Sequence, residues 1–245
     1  GLLEQVVSSW KSAGHPLPEK EFFWTVKSKI PPRQGLKSSA AVSIAAIKAL
    51  CDATETELEN ADIVDISAAA QLAAGVSITG SYDDSWAALE GGWKLIDANA
   101  EDARSGLLLE SQGPSSEDWK VILIIRGDRK EKPVLEDFTF HQQAFSQALT
   151  ALQEGKELVA LTWNGRGVVG ALNDTTGRRL ANDAFVNGAR AAGISGSGPA
   201  VVVIIPSITP QTTNRIKFLF TEGKYNCTIT ETKFLNSEGE EIDSE

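Results

Sequence analysis

The sequence predicts an α+β fold in which helices cover one face of the sheet. Helical stripes of apolar residues alternate with strand-like runs, but without the regular strand–helix–strand rhythm of a doubly wound sheet. A chain of 245 residues can form one large domain or two modest ones. Between Ala98 and Glu117 the composition shifts to small and polar residues, which places a boundary close to Gly113-Pro114. We therefore predict two domains, residues 1–113 and residues 114–245.

The first domain opens with a predicted short helix at residues 4–12. In "WTVKSKI", residues 24–30, every second side chain falls on one face, which is typical of a strand. Pro31 and Pro32 end it because neither can donate a ladder hydrogen bond. A helix with an apolar stripe follows from Ser38 to about residue 53. A further helix is predicted at residues 62–74 and is closed by Gly75. Another is predicted to begin at Asp83 or Asp84 and to end at the glycine pair 91–92.

The second domain contains three apolar or alternating segments that favour strands. The predicted strands are residues 121–126, 200–206 and 226–234, and the predicted helices are residues 140–152, 178–192 and 212–220. The last ten residues, "NSEGEEIDSE", indicate a solvated acidic tail.

Composition limits the possible functions. The chain has 33 acidic and 23 basic residues, which argues against a nucleic-acid surface and means that any anion site must be local. Cys51 and Cys227 lack metal-ligand spacing and are expected to be reduced thiols. No membrane-span-length apolar run or signal peptide is present, so we expect a soluble cytoplasmic protein. The chain contains no methionine, and we expect that an N-terminal portion is missing.

The stretch "IPPRQGLKSSAA", residues 30–41, has the character of a phosphate cradle. A glycine-containing loop that enters a helix presents unpaired N–H groups and a partial positive charge. Arg33 and Lys37 would reinforce that field, and Ser38 and Ser39 add hydroxyl groups. The alternative interpretation is purely structural: Gly35 makes a turn and Ser38 caps the helix.

A second glycine cluster lies in "GISGSGPAVVVI", residues 193–204. Its order is the reverse of the dinucleotide fingerprint, in which the glycines follow a strand and open a helix. The three glycines allow the backbone to approach a partner closely, and a loop packed beside the first cradle is one such use. A simple hairpin connection is the alternative.

Asp83 and Asp84 are adjacent carboxylates at a predicted helix start. Such residues usually complement the helix dipole. Phosphoryl transfer to an alcohol, however, needs one carboxylate to accept or orient the hydroxyl proton, and often others to hold magnesium. Neighbours on a helix point about 100° apart, so the two residues could divide these roles.

Together, the three segments resemble those of the GHMP small-molecule kinases. That family carries a P-x-x-x-G-L-x-S-S-A segment, matched here from Pro31 to Ala40, and an aspartate seven residues before a Gly-Gly pair, matched by Asp84. Its late glycine-rich turn is matched by residues 193–199. Within the family, "GVSITGSYDD" and "GISGSGPA" look most like the archaeal-type shikimate kinases.

The resemblance implies a two-lobed fold, with an N-terminal lobe like domain 2 of ribosomal protein S5 and a ferredoxin-like C-terminal lobe. It also implies ATP and Mg²⁺ as cofactors, a small-molecule acceptor such as shikimate, and a kinase of aromatic amino-acid biosynthesis. Asp84, with Asp83, would be catalytic, and Ser38 or Ser39 would contact the metal. The implied ATP-binding residues are Pro31, Pro32, Arg33, Gln34, Gly35, Leu36, Lys37, Ser38, Ser39 and Ala40. The implied substrate or phosphate loop contains Gly193, Ser195, Gly196, Ser197 and Gly198.

The sequence departs from the family at one metal position. Mevalonate-type members place a glutamate ligand eleven residues before the aspartate, where this chain has Ala73. The alternatives to a shikimate kinase are another acceptor, with homoserine the nearest, and a metabolite-binding regulator that has lost catalysis.

Overall fold

The computed structural model describes residues 1–77, 79–80, 82–129 and 133–235. It divides into two compact units, the first containing Gly1–Ile30, Lys37–Gly113 and Leu235. The second contains Pro31–Leu36 and the chain from Pro114 to Phe234. The predicted acidic tail lies outside the described residues. Within those ranges, no helix combines the length and apolar character that crossing a membrane requires.

The first unit is mainly helical. It contains helices α1 (Leu2–Ser12), α2 (Ser38–Thr54), α3 (Asn60–Ala73) and α4 (Tyr82–Leu89), and strands β1 (Trp93–Ile96) and β2 (Leu107–Ser111). Its core forms because α1, α2 and α3 each carry apolar residues at helical spacing, and these faces pack together. Trp10, Ile47 and Leu50 are almost completely buried there. The predicted helices of this unit are confirmed, whereas the antiparallel pair β1–β2 is not predicted.

The strand predicted at residues 24–30 is wrong. Residues 21–29 have no regular secondary structure, and Phe23 and Val26 are exposed, with 85% and 51% of their surface accessible. Alternation describes which face a side chain would occupy, but a strand also needs a neighbouring backbone to pair with. Among the described residues, no strand pairs with this segment.

The second unit is a four-stranded antiparallel sheet with helices. Its elements are β3 (Trp119–Ile125), α5 (Leu135–Thr139), α6 (Gln142–Gln153), α7 (Glu157–Ala171), α8 (Thr175–Val186), β4 (Ala191–Ile194), β5 (Val201–Pro206), α9 (Pro210–Phe218), a π-helical turn (Leu219–Gly223) and β6 (Thr228–Thr232). The strand order is β4-β5-β3-β6. This order places the first strand of the unit between the third and the fourth, as in ferredoxin-like folds.

The core of the second unit lies between the sheet and its helices. Ile122 and Ile124 from β3 and Val201, Val203 and Ile205 from β5 point to one face, because side chains two residues apart share a face. Residues from α7, α8 and α9 pack onto that face. The predicted strands are confirmed in position, and the α+β class with helices on a sheet face is the observed one.

Two helices of this unit differ from the sequence-based expectation. No element is predicted for Glu157–Ala171, which forms α7; its three glycines lower helix propensity but allow close packing. A Cβ on Gly165 would lie 2.6 Å from the Cα of Gly193 in β4. The helix predicted over residues 178–192 instead ends at Val186, and residues 191–194 form β4. The Asn187-Gly188 pair, with φ of +103° at Gly188, supplies the helix end.

Candidate active site

Gly35 lies where only a glycine fits. Its φ is +75°, and a Cβ at this position would lie 2.2 Å from the carbonyl oxygen of Ser195 and 2.8 Å from the backbone nitrogen of Gly198. L-residues with a side chain rarely adopt this conformation, and both contact atoms belong to backbone that cannot rotate away. The structure therefore brings the two predicted glycine loops, residues 31–36 and residues 195–198, into direct contact.

Hydrogen bonds hold the two loops together. The Ser195 hydroxyl donates to the Gly35 carbonyl oxygen at 2.9 Å, and the Ala200 N–H donates to the Gln34 carbonyl oxygen at 3.0 Å. The Gly198 N–H donates to the Ser195 carbonyl oxygen at 2.8 Å and closes the turn between β4 and β5. The second glycine cluster is thus both a hairpin connection and a packing partner of the first loop, so the two interpretations of the sequence coexist.

A partly buried ion pair supports the hairpin turn. Arg126, at the end of β3, donates two hydrogen bonds to the Asp174 carboxylate, at 2.6 and 2.9 Å, and a third to the Pro199 carbonyl oxygen at 3.0 Å. Asp174 also accepts a hydrogen bond from the Gly177 N–H and caps α8. Burial raises the pKa of Asp174, but the Arg126 and Gly177 hydrogen bonds outweigh it, and the net pKa is lowered. Sequence analysis missed this pair; an arginine directly after a buried strand was its only signal.

Further basic groups lie along the loop 31–36. The Arg129 N–H donates to the Arg33 carbonyl oxygen at 3.0 Å, and the Arg129 side chain donates to the Ser197 hydroxyl. The Arg33 guanidinium lies 3.1 Å from the Asp128 carboxylate in an exposed pair. Gln34 is almost completely buried, and its side-chain oxygen accepts from the Arg126 N–H at 3.4 Å. The loop 31–36 therefore carries local positive charge, although the net charge of the chain is −10.

Helix α2 begins at Ser38, and its N-cap residue is Lys37. Lys37 has φ of +60°, an uncommon value for a residue with a side chain, and makes no side-chain cap hydrogen bond. The expectation that Ser38 caps the helix is therefore wrong. Since the cap residue offers no acceptor, the first N–H groups of α2 have no side-chain cap, which suits a helix start that binds an anion.

The Lys37 side chain brings the first and third sequence motifs together. Its ammonium group forms an ion pair with the Asp84 carboxylate and lies 4.0 Å from Asp83. The Asp84 side chain is 18% exposed and the Asp83 side chain 53%, so the two neighbours occupy different environments, as their angular separation on α4 requires. Burial raises the pKa of Asp84 to about 6, with Lys37 lowering it and Asp83 raising it. Asp84 is thus a carboxylate poised to exchange a proton near neutral pH.

A buried polar network connects the starts of α2 and α4 through α3. The Ser39 hydroxyl donates to the Gln71 side-chain oxygen at 3.0 Å, and the Gln71 amide donates to the Ser85 hydroxyl at 3.0 Å. The Ser67 hydroxyl lies 2.9 Å from the Ser85 hydroxyl and 2.6 Å from the Ser43 hydroxyl. All except Ser39 are at most 1% exposed. Ser85 directly follows Asp84, so this network fixes the helix turn that presents the carboxylate. Sequence analysis missed it, since Ser67 and Gln71 lie in an alanine-rich helix.

The donor set around α2 and α4 fits a magnesium ion that is held mainly by phosphates. Mg²⁺ in such sites takes one or two carboxylates and otherwise water and phosphate oxygens. Asp83 is half-exposed and contacts Lys37 only at 4.0 Å, and Ser38 and Ser39 supply hydroxyl groups. In the described part of the chain, no three His, Cys, Asp or Glu residues are grouped to hold a metal by themselves.

The chain is similar in sequence to known proteins. Residues 3–92 match the family described as "GHMP kinases N terminal domain". A shikimate kinase from Methanothermobacter thermautotrophicus is 34% identical over 189 residues, which cover 72% of this chain and 61% of that protein. The chain spans about 60% of the length of the curated relatives it matches.

Solved structures with low sequence identity share the fold. The mevalonate kinase of Methanococcus jannaschii is similar at a TM-score of 0.67 and 16% identity, covering 96% of this chain and 75% of that one. The homoserine kinase of Cytophaga hutchinsonii is similar at a TM-score of 0.64 and 16% identity, covering 97% and 76%.

Proposed function

We propose that this chain is a kinase of the GHMP family that phosphorylates a small alcohol with ATP. Its residues 3–92 match the N-terminal domain of that family, and its fold is similar to those of a mevalonate kinase and a homoserine kinase. The acceptor we propose is shikimate, giving 3-phosphoshikimate, because the curated relatives at 28–34% identity over most of the chain carry that name. We also propose a cytoplasmic setting, in keeping with two free cysteines.

The observation that carries the proposal is the contact between Lys37 and Asp84. Lys37 occupies the N-cap position of α2, directly after the phosphate-type loop, and Asp84 is a mostly buried carboxylate with a pKa of about 6. Asp84 would accept the proton of the acceptor hydroxyl. At the same time, the hydroxyl oxygen would bond to the γ-phosphorus of ATP, and the bond between that phosphorus and the ADP oxygen would break. The Lys37 ammonium group would favour the ionised form of Asp84 before the transfer.

The backbone of the loop and the helix start would bind the phosphates. The α2 N–H groups carry the positive end of the helix dipole, and Arg33 and Lys37 add charge in the same stretch of chain. Asp83 with Ser38 or Ser39 would hold Mg²⁺, which when bound offsets the negative charge of the phosphates. The turn of Gly193, Ser195, Gly196, Ser197 and Gly198 would hold the loop 31–36 in place through the Gly35 contact.

A coupled ADP-release assay tests the proposal. The full chain is incubated with ATP, Mg²⁺ and, in parallel, shikimate, homoserine or mevalonate. ADP release that depends on shikimate supports the proposed acceptor. Release with homoserine or mevalonate alone would replace shikimate but keep the kinase. Nucleotide binding by calorimetry without ADP release for any acceptor would favour a binding protein that lacks catalysis.

A further inference from the structure

A cavity in the second unit overlaps the predicted phosphate loops at a single described residue. It has a volume of about 400 Å³ and lies between α7, α8 and β4, which is an edge strand of the sheet. It is lined by Gly165, Arg166, Val169, Arg178, Ala181, Asn182, Phe185, Ala192 and Gly193. Only Gly193 is shared with the predicted loop residues. The volume falls in the range of small-molecule sites.

The floor of this cavity is apolar for an identifiable reason. Gly165 and Gly193 let α7 approach β4 so closely that a Cβ on either would overlap the other residue's Cα. Beside this contact, the surrounding side chains Val169, Ala181 and Ala192 are short and buried, so the surface stays concave. Phe185 adds an aromatic wall. An apolar body of one or two rings therefore has a complementary surface.

Among the described residues, two arginines and no acidic side chain line the cavity. Arg166 is fixed by Trp163, with its guanidinium carbon 4.6 Å from the ring centroid, which orders an otherwise flexible side chain. Neither Arg166 nor Arg178 makes an ion pair with any residue that the structure describes, although acidic residues outnumber basic ones in the whole chain. Guanidinium groups match carboxylates and phosphates in geometry and charge.

We propose that this cavity binds a small organic anion with an apolar body, held by Arg166 and Arg178. The site does not require kinase activity, and its ligand would bind without nucleotide. Asn182, which also lines the cavity, supplies an amide that can donate or accept a further hydrogen bond.

The test is calorimetric titration of the full chain with 2-naphthoate and its neutral isostere 2-naphthamide, at constant ionic strength and without nucleotide. The naphthoate is expected to bind at least tenfold more tightly. Arg178→Gln and Arg166→Gln should each weaken naphthoate binding about tenfold or more. The matched control is Arg179→Gln, which makes the same change at the next position of α8, outside the cavity, and should leave the Kd within twofold.

A third variant tests the apolar surface of the cavity. Ala181→Leu places a larger side chain on that surface and should abolish naphthoate binding, while circular dichroism shows an unchanged helical signal. Equal affinity for the amide, equal losses in Arg178→Gln and Arg179→Gln, or displacement of naphthoate by inorganic phosphate at the same concentration would each contradict the proposal. Because no ATP is present, failure of this test and failure of the kinase assay are independent results.

Discussion

Asp84 combines burial with a cationic partner, Lys37 at the start of α2, and an acidic neighbour, Asp83. Burial favours its neutral form, whereas Lys37 favours the charged form, and their balance places the pKa at about 6. A base with such a pKa is largely ionised at neutral pH yet still accepts a proton readily. Asp83, at the preceding position, has a half-exposed side chain.

Replacing Asp84 by asparagine tests its catalytic role. Asp84→Asn keeps the shape but removes the proton acceptor, so kcat should fall about a hundred-fold or more while ATP still binds. Asp52→Asn, the same change at an exposed position of α2, is the matched control and should leave kcat nearly unchanged. Equal activity of Asp84→Asn and the unaltered chain in the ADP-release assay would remove Asp84 from the mechanism.

The pH dependence separates the catalytic and the structural effect of Asp84. As a base, it must be ionised, so kcat/KM should fall as the pH drops below about 6. The free energy of unfolding should change in the opposite direction and fall as the pH rises. Because the folded pKa lies above the ordinary value of 3.8, Asp84 is tolerated best when protonated, below pH 4.

The contribution of protonated Asp84 to the free energy of unfolding is lost as the pH rises from about 4 through 6. Its full size is about 3 kcal/mol, at about 1.4 kcal/mol per unit of pKa. Urea unfolding of the unaltered chain and of Asp84→Asn at pH 4, 5, 6 and 7 measures it. A stability difference between the two that does not vary with pH would contradict the raised pKa.

Gly35 allows a prediction with a control in the same unit. Gly127 also has a positive φ, +84°, but a Cβ there would meet nothing within 4 Å. Gly127→Ala should therefore cost only the conformational strain, about 1 kcal/mol. Gly35→Ala adds overlap with the Ser195 backbone and should cost about 3 kcal/mol or more. Denaturant unfolding gives both values, and equal values would mean that the Gly35 contact is not rigid.

At the scale of elements, the Ser67 network ties three helices of the first unit together. Ser67→Ala leaves buried hydroxyl and amide groups of Ser43, Ser85 and Gln71 short of a partner, at a cost of about 1–3 kcal/mol. Ser8→Ala, on the exposed side of α1, should change the unfolding free energy by less than about 0.5 kcal/mol. A Ser67→Ala protein as stable as Ser8→Ala would show that water replaces the lost hydroxyl.

The elements also show what sequence reasoning can and cannot predict. Helices α1 to α4 and strands β3 and β5 follow from periodicity, because their apolar residues face one core. Helix α7 was not predicted, since its glycines serve contacts with β4 and Phe145 that a local pattern does not contain. The false strand at residues 24–30 has the reverse cause: its alternating pattern is present, but no strand in the described part of the chain pairs with it.

The candidate site shows the same limit. The glycine loops and Asp84 could be found as local motifs, and the sequence also suggested that one loop packs beside the other. Their supports could not be found, because Arg126 with Asp174, and Gln71 with Ser39 and Ser85, are long-range pairs. The assignment of individual residues to ATP, metal or acceptor stays a prediction.

At the scale of the whole molecule, the phosphate-type segment is divided between units: Pro31–Leu36 belongs to the second and Lys37 onward to the first.

The placement of Pro31–Leu36 also bears on how such genes can recombine. A crossover at codon 113 would exchange most of the second unit but leave Pro31–Leu36 behind. The carbonyl groups of Arg33 and Gln34 in that segment accept hydrogen bonds from the N–H groups of Arg129 and Ala200. A chimaera between relatives would then join a borrowed sheet to a native loop. Only exchanges that carry both pieces, or that preserve Gly35 and its facing turn, should yield hybrid proteins that fold.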